Sequence, residues 1–138
     1  MTNSFNQPVF EKDENCRIPD WPTDADRIPD WIYTSESVYE RELYRIFLGP
    51  HWNYVGLECE VPSPGSYVRS YVGPFPVVVS RDSDGMLNVF ENRCAHRGVE
   101  FCREYRGTAD SFICPYHNWT YNLQGDLTAV PFRRGVKG

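Results

Sequence analysis

The chain has 138 residues, of which 41% are hydrophobic and 24% charged, with a formal net charge of −5. This length fits one compact domain and excludes two independent catalytic domains. Apolar runs such as Val77–Val79 are far shorter than the roughly 20 residues needed to span a bilayer. The N-terminal MTNSFNQPVF lacks the basic start and apolar stretch of a secretion signal, which predicts a soluble cytoplasmic protein.

Charge is distributed unevenly along the chain. Residues 1–60 carry 5 basic and 12 acidic groups, whereas residues 61–138 carry 9 basic and 7 acidic groups. The overall acidity argues against binding to nucleic acid, and no membrane partner is expected. Four arginines fall within one short segment: Arg93, Arg97, Arg103 and Arg106. They indicate either solvated loops or a docking face for an acidic partner.

The first third of the chain is predicted to hold an arm and one helix. Residues 1–33 are polar and proline-rich, which predicts an extended arm. The sequence Arg-Ile-Pro-Asp-Trp occurs at 17–21 and again at 27–31, either by chance or because Trp21 and Trp31 anchor the arm. A helix is predicted over residues 34–50, with capping-box spacing at Ser37 and Glu40 and a stop at Gly49-Pro50.

Residues 51–138 are predicted to form a mainly β domain, a small antiparallel sandwich or barrel. Abundant glycine and proline, 10 and 11 residues, favour short strands and turns. Asp82–Gly85 and Asn122–Gly125 have the composition of tight turns. The predicted strands are Trp52–Leu57, Tyr67–Val72, Val77–Arg81, Leu87–Glu91, Ser111–Ile113, Trp119–Asn122 and Leu127–Val130.

Two short motifs combine thiol and imidazole groups. Cys94-Ala-His96 and Cys114-Pro-Tyr-His117 each supply one cysteine and one histidine next to predicted strand ends. A single zinc ion with two cysteine and two histidine ligands is one possibility. Structural zinc sites usually pair two cysteines in one knuckle, whereas each loop here mixes the two ligand types. Mixed pairs of this kind favour a binuclear centre.

In a Rieske [2Fe–2S] cluster two cysteines bind one iron and two histidines bind the other, so each loop must reach both metals. Replacing two thiolates with neutral imidazoles makes the oxidised centre less negative. Its reduction potential then lies at roughly −150 to +300 mV. The sequence therefore predicts this cluster, with Cys94, His96, Cys114 and His117 as its ligands.

Over most of its length the sequence resembles Rieske-type aromatic-ring-hydroxylating oxygenases, in the N-terminal part of their large (alpha) subunit. The resemblance is carried by Arg27–Tyr33, Trp52–Gly56, Glu60–Gly65, Asn92–Gly98 and Cys114–Trp119. The segment Val130-Pro-Phe-Arg-Arg-Gly135 looks most like large subunits that act on salicylate- or anthranilate-type acids.

The resemblance implies a dioxygenase or monooxygenase of aromatic catabolism. Its cluster would receive electrons from a ferredoxin or reductase, in a homotrimer or in a hetero-oligomer with a small subunit. It also implies a mononuclear Fe(II) held by two histidines and a carboxylate in a separate catalytic domain. With His96 and His117 assigned to the cluster only His51 remains, so this chain is expected to lack that catalytic domain and to contain no catalytic residue of its own.

The resemblance also implies features of the two loops. Respiratory Rieske proteins carry two further cysteines that clamp these loops with a disulfide, at positions matching Val99 and Tyr116, so no clamp is expected here. They place a serine near a bridging sulfur at the position of Trp119, and its loss predicts a potential toward the low end of the range. His117 is expected to face a carboxylate of a neighbouring subunit.

The remaining cysteines and the third histidine have no ligand spacing. Cys102 is predicted to be a small buried residue without a chemical role, and Cys16 and Cys59 are given none. His51 is more consistent with packing than with metal binding. Gly98 is expected to permit a tight turn in the first motif. Two other functions stay open at this point, a stand-alone Rieske ferredoxin and a zinc-stabilised interaction module.

Overall fold

The computed structural model describes residues 27–132, and the chain divides into two compact units between Trp52 and Asn53. Residues 1–26 of the predicted arm, with Cys16 and the first copy of the repeated pentapeptide, lie outside the described residues. Residues 31–33 are not extended as predicted, because Trp31–Thr34 form one helical turn, α1. No helix of the described part is long and apolar enough to cross a bilayer.

The helix of the first unit starts at a different cap from the one predicted. Helix α2 spans Glu36–Glu42 and continues as a π-helical turn over Leu43–Phe47. Ser35, rather than Ser37, caps it, since the Ser35 hydroxyl accepts a hydrogen bond from the Val38 N–H at 3.4 Å. A cap residue needs extended backbone, and Ser35 has ψ of 118° whereas Ser37 lies inside the first turn.

The second unit contains two antiparallel sheets, which confirms the mainly β prediction. The first sheet has the strand order β3-β2-β1-β4, and the second has β5-β6-β7. The strands are β1 Ser66–Val72, β2 Phe75–Arg81, β3 Leu87–Glu91, β4 Arg106–Thr108, β5 Phe112–Ile113, β6 Thr120–Tyr121 and β7 Leu127–Ala129. A single 3₁₀ turn, Glu58–Glu60, precedes β1.

Both predicted turns are confirmed, but one predicted strand is wrong and one strand was missed. Gly85 and Gly125 each close their turn by donating a hydrogen bond three residues back, and both have φ above 80°. Residues 52–57 form no strand: Tyr54 and Leu57 are exposed, and this segment has no partner strand among the described residues. Strand β4 was missed because Arg106-Gly-Thr108 lacks apolar alternation and pairs with β1 as a short edge.

The core lies between the two sheets. Alternation along β1 and β2 directs Tyr67 and Val78 to the same face of the first sheet, where they join Phe112 and Tyr121 of the second. The opposite face carries Val68 and Val79, which pack against Val61 from the segment before β1. Complete burial of a side chain such as Val78 contributes about 1.5–3 kcal/mol, so both faces of the first sheet stabilise the unit.

Polar contacts fix the first sheet to the turn that follows β6. The buried Ser80 hydroxyl donates to the Leu123 carbonyl at 2.5 Å. The carboxylate of Asp82 accepts hydrogen bonds from the Asn88 and Gln124 side-chain amides, each at 3.0 Å. Because Asp82 belongs to the β2–β3 turn and Gln124 to the β6–β7 turn, this network fixes the position of β6 relative to the first sheet.

Candidate metal centre

The first loop, residues 92–102, is closed at its base by a buried asparagine. The Asn92 side-chain amide donates to the Cys102 carbonyl at 2.8 Å, and the Cys102 N–H donates to Asn92 Oδ1 at 2.9 Å. Asn92 is completely buried, so these hydrogen bonds replace those that water would make. The amide thus joins the two ends of the loop that carries Cys94 and His96.

Inside this loop the backbone folds back on Cys94. The Cys94 N–H donates to the Val99 carbonyl, and the Gly98 N–H donates to the Cys94 carbonyl, both at 2.8 Å. Gly98 has φ of +71°, and a Cβ there would lie 3.0 Å from the Arg93 guanidinium. The tight turn expected at Gly98 is confirmed, because its positive φ is one that glycine adopts without strain.

The second loop, residues 114–119, repeats the same backbone turn. The Cys114 N–H donates to the Trp119 carbonyl at 2.8 Å, and the Asn118 N–H donates to the Cys114 carbonyl at 3.0 Å. Asn118 takes the place of the glycine and has φ of +56°, a conformation that asparagine tolerates better than most residues. Sequence reasoning missed Asn118, although an asparagine four residues after a cysteine matches the position of Gly98 in the first loop.

The two loops bring together all four side chains that the sequence singled out, and they sort them by type. Cys94 and Cys114 are 3% and 1% exposed and belong to the same buried core cluster. His96 and His117 are exposed, and their ring centroids lie 4.6 Å apart at an interplanar angle of 65°. Each loop therefore contributes one group to a buried thiol pair and one to an exposed imidazole pair.

The surroundings of Cys94 favour the thiolate, which is the form that binds metals. Burial by itself raises the pKa of this thiol. Hydrogen bonds from the Tyr121 hydroxyl, from the backbone N–H groups of His96 and Arg97, and from Cys114 outweigh burial and lower the pKa below its ordinary value. The turn of the first loop therefore aims its own N–H groups at the sulfur.

The pKa of His96 is also lowered. Desolvation is the largest cause, and the nearby charges of His117 and Arg97 act in the same direction. The neutral imidazole is the form that coordinates a metal. Thus the lowered pKa of Cys94 favours thiolate, and that of His96 favours neutral imidazole, as metal coordination requires.

Tyr121 of β6 connects the second sheet to the first loop. Its hydroxyl donates to Cys94 Sγ at 3.3 Å and accepts from the Ala95 N–H at 2.9 Å, while its ring stacks on Phe101 with centroids 4.5 Å apart. Burial and the neighbouring Cys94 raise the pKa of this hydroxyl to about 12, so it remains a donor at neutral pH. Sequence reasoning did not identify Tyr121, because only its position opposite the first loop gives it this role.

The other candidate residues lie outside this group. Cys102 is 3% exposed, as predicted, and burial raises the pKa of its thiol to about 11. Cys59 is exposed and unpaired, and His51 belongs to the first unit. Arg97 is exposed beside His96, while the guanidinium of Arg93 lies over Gly98 and contacts Glu91 at 3.4 Å.

The donor set fits a binuclear centre. A [2Fe–2S] cluster of the Rieske type requires two protein ligands on each iron, thiolates on one and imidazoles on the other. The separate thiol and imidazole pairs match that requirement in number and in type.

Comparison with known proteins also identifies a domain that carries a [2Fe-2S] cluster. The family model of the Rieske [2Fe-2S] domain matches residues 51–138. The chain is 54% identical to the large oxygenase component of salicylate 5-hydroxylase from Ralstonia sp, over 95% of this chain and 30% of that protein. It is 50% identical to the anthranilate 1,2-dioxygenase large subunit of Burkholderia cepacia, over 100% of this chain and 33% of that protein.

Among solved structures, naphthalene 1,2-dioxygenase from Rhodococcus sp. bound to indole matches with a TM-score of 0.69. The sequence identity is 38%, and the match covers 75% of this chain and 23% of the other. These relatives confirm the resemblance to oxygenase large subunits of the salicylate and anthranilate type. The chain spans about a third of the length of the two curated relatives. On its sequence, its fold and its paired donors, the chain belongs to the Rieske [2Fe-2S] domain family.

Proposed function

We propose that Cys94 and Cys114 bind one iron of a [2Fe–2S] cluster and that His96 and His117 bind the other. The observation that carries this assignment is the sorting of the four side chains into a buried thiol pair and an exposed imidazole pair. A cluster of this type takes up and releases one electron at a time. The thiol side is enclosed by the core, so electrons enter and leave on the imidazole side.

The residues around the four ligands prepare them for this role. The N–H groups of the first loop and the Tyr121 hydroxyl stabilise negative charge on Cys94. Asn92 and the two matching backbone turns hold the loops in place. Since Trp119 offers an indole where a serine hydroxyl would donate to sulfur, the potential is expected in the lower part of the range from about −150 to +300 mV.

In the whole protein we propose that this unit passes electrons to a catalytic iron in the large subunit of an aromatic-ring-hydroxylating oxygenase. The support is the identity of 54% and 50% to large subunits named for salicylate and anthranilate. A ferredoxin or reductase is the proposed electron donor, and His117 is proposed to face a carboxylate of a neighbouring subunit. Hydroxylation needs two histidines beyond His96 and His117, and this chain has three in all.

A stand-alone Rieske electron carrier is the second candidate. The exposure of both imidazole rings favours it, because a diffusing carrier must present its cluster to more than one partner. The two functions differ in where the electron goes. A carrier would reduce a separately purified oxygenase, whereas a large-subunit domain would pass its electron only within its own assembly.

The assignment is tested by iron and sulfide analysis, visible absorption and EPR of the purified, reduced chain. We expect two irons and two inorganic sulfides per chain and an EPR signal in the reduced state. The variants Cys94→Ser and His117→Ala should lose the cluster, while His51→Ala, the matched histidine control, should retain it. A chain that binds one zinc and gives neither absorption nor EPR signal would refute the proposal in favour of the zinc module.

A further inference from the structure

A tryptophan of the second loop lies flat against a histidine of the first. The Trp119 and His96 ring centroids are 4.9 Å apart, and the ring planes are inclined by only 11°. Trp119 is partly buried and packs against the core between the sheets. The indole therefore contacts the core and also stacks on the imidazole.

His96 depends on this contact for its orientation. The residue is exposed, and its ring has no hydrogen-bond partner within residues 27–132. Its other aromatic neighbour, His117, meets it edge-on at 65°. An exposed side chain without such contacts rotates among several rotamers. The flat surface of Trp119 is thus the feature that fixes the plane of the His96 imidazole.

A second side chain near Trp119 also contacts the first loop. Trp119 is the last residue of the second loop, and Tyr121, two residues later, lies in β6. Both reach the first loop: Trp119 covers His96, and the Tyr121 hydroxyl accepts from the Ala95 N–H. Trp119 before β6 and Tyr121 within it therefore hold the two loops together through side chains, where the chain has no cysteines at 99 and 116 to do so.

The two imidazoles differ in whether an aromatic ring stacks on them. His117 has no stacked partner in the described structure, and its aromatic contacts are edge-on, with Tyr116 at 5.8 Å and with His96. We propose that Trp119 is a positioning residue for His96, which fixes the imidazole plane for iron and leaves His117 as the adaptable, partner-facing ligand. The inference rests on the proposed binding of a [2Fe–2S] cluster by these loops.

The test compares four forms of the full chain: wild type, Trp119→Leu, Trp119→Phe and Phe90→Leu. Phe replaces the indole by another flat ring, whereas Leu removes the flat surface. Phe90→Leu is the matched control, because Phe90 packs in the same core against Phe101 and Phe112. Each form is labelled with ¹⁵N-histidine and reduced. Pulsed EPR then measures the hyperfine couplings of the two coordinating nitrogens, and loss of visible absorption in excess chelator gives the rate of cluster release.

We expect Trp119→Leu to broaden or shift the coupling of one nitrogen and to leave the other unchanged. Cluster release should accelerate by about two- to twelvefold, the range for loss of one aromatic pair. Trp119→Phe should restore the coupling and most of the retention. Phe90→Leu should lower the melting temperature while leaving both couplings unchanged.

Two sets of results would overturn the inference. Unchanged nitrogen couplings in Trp119→Leu would show that His96 is oriented without the indole. Equal changes in Trp119→Leu and Phe90→Leu would show that Trp119 contributes only to the core. If the wild-type chain bound no binuclear cluster, the proposed function itself would be refuted, and this inference with it.

Discussion

Replacing Tyr121 with Phe isolates one hydrogen bond to a proposed iron ligand. The change removes a hydroxyl that donates to Cys94 Sγ at 3.3 Å and retains the ring that stacks on Phe101. Hydrogen bonds to ligand sulfur stabilise the more negative, reduced cluster more than the oxidised one. Tyr121→Phe is therefore expected to have a lower reduction potential than the wild type.

The size of this shift follows from the energy of the hydrogen bond. A hydrogen bond to a charged group contributes about 1.5–3 kcal/mol net. We take about 1 kcal/mol as the amount by which this hydrogen bond stabilises the reduced cluster more than the oxidised cluster. A tenfold change in a one-electron equilibrium corresponds to about 59 mV and about 1.4 kcal/mol. The expected decrease in potential is therefore about 40 mV.

The assay is a potentiometric titration followed by visible absorption, with iron content measured in parallel. Tyr67→Phe is the matched control, since Tyr67 is also buried but its hydroxyl lies against Gly107, and it makes no hydrogen bond to Cys94. The control should keep the wild-type potential. An unchanged or higher potential in Tyr121→Phe, or an equal decrease in Tyr67→Phe, would show that this hydroxyl does not tune the cluster.

Three further predictions concern the surroundings of the site. Asn118 has φ of +56°, which glycine adopts freely and valine does not. In urea unfolding, Asn118→Gly should therefore keep the wild-type free energy of unfolding, whereas Asn118→Val should lose about 1–2 kcal/mol. Equal losses in the two variants would contradict this argument. Because the pKa of Cys102 is raised to about 11, only about one of its thiols in a thousand is ionised at pH 8. Iodoacetamide should therefore label the exposed Cys59 and leave Cys102 unlabelled, as measured by peptide mapping. Similar labelling rates at the two cysteines would refute this prediction. Hydrogen bonding, above all from Asn88, lowers the pKa of Asp82 in the folded state, so the unfolded chain binds that proton more tightly. The resulting stabilisation should be present above the ordinary aspartate pKa of 3.8 and be lost as pH falls through the lowered folded-state pKa. In urea unfolding, the stability of Asp82→Asn should therefore depend less on acid pH than that of the wild type. An equal pH dependence in the two proteins would contradict this prediction.

Several features could be predicted from the sequence because their causes are local. The turns at Asp82–Gly85 and Asn122–Gly125 depend on a few neighbouring residues and on a glycine with positive φ. The four proposed ligands were identified from two short motifs, since metal chemistry restricts residue types strongly. Segment 52–57 shows the limit of this reasoning, because its apolar residues resemble a strand but it has no partner in the described structure.

Sequence patterns alone predicted the four proposed ligands, one thiol and one imidazole in each loop, and a mainly β domain. The packing of the two sheets places the thiols together in the core and the imidazoles together at the surface, which no local pattern predicts. It also gave Tyr121 and Trp119 their contacts with the first loop. The reason is physical: spacing within a loop is set by the local chain, whereas contacts between loops about twenty residues apart depend on how the two sheets pack and align β6 with the first loop.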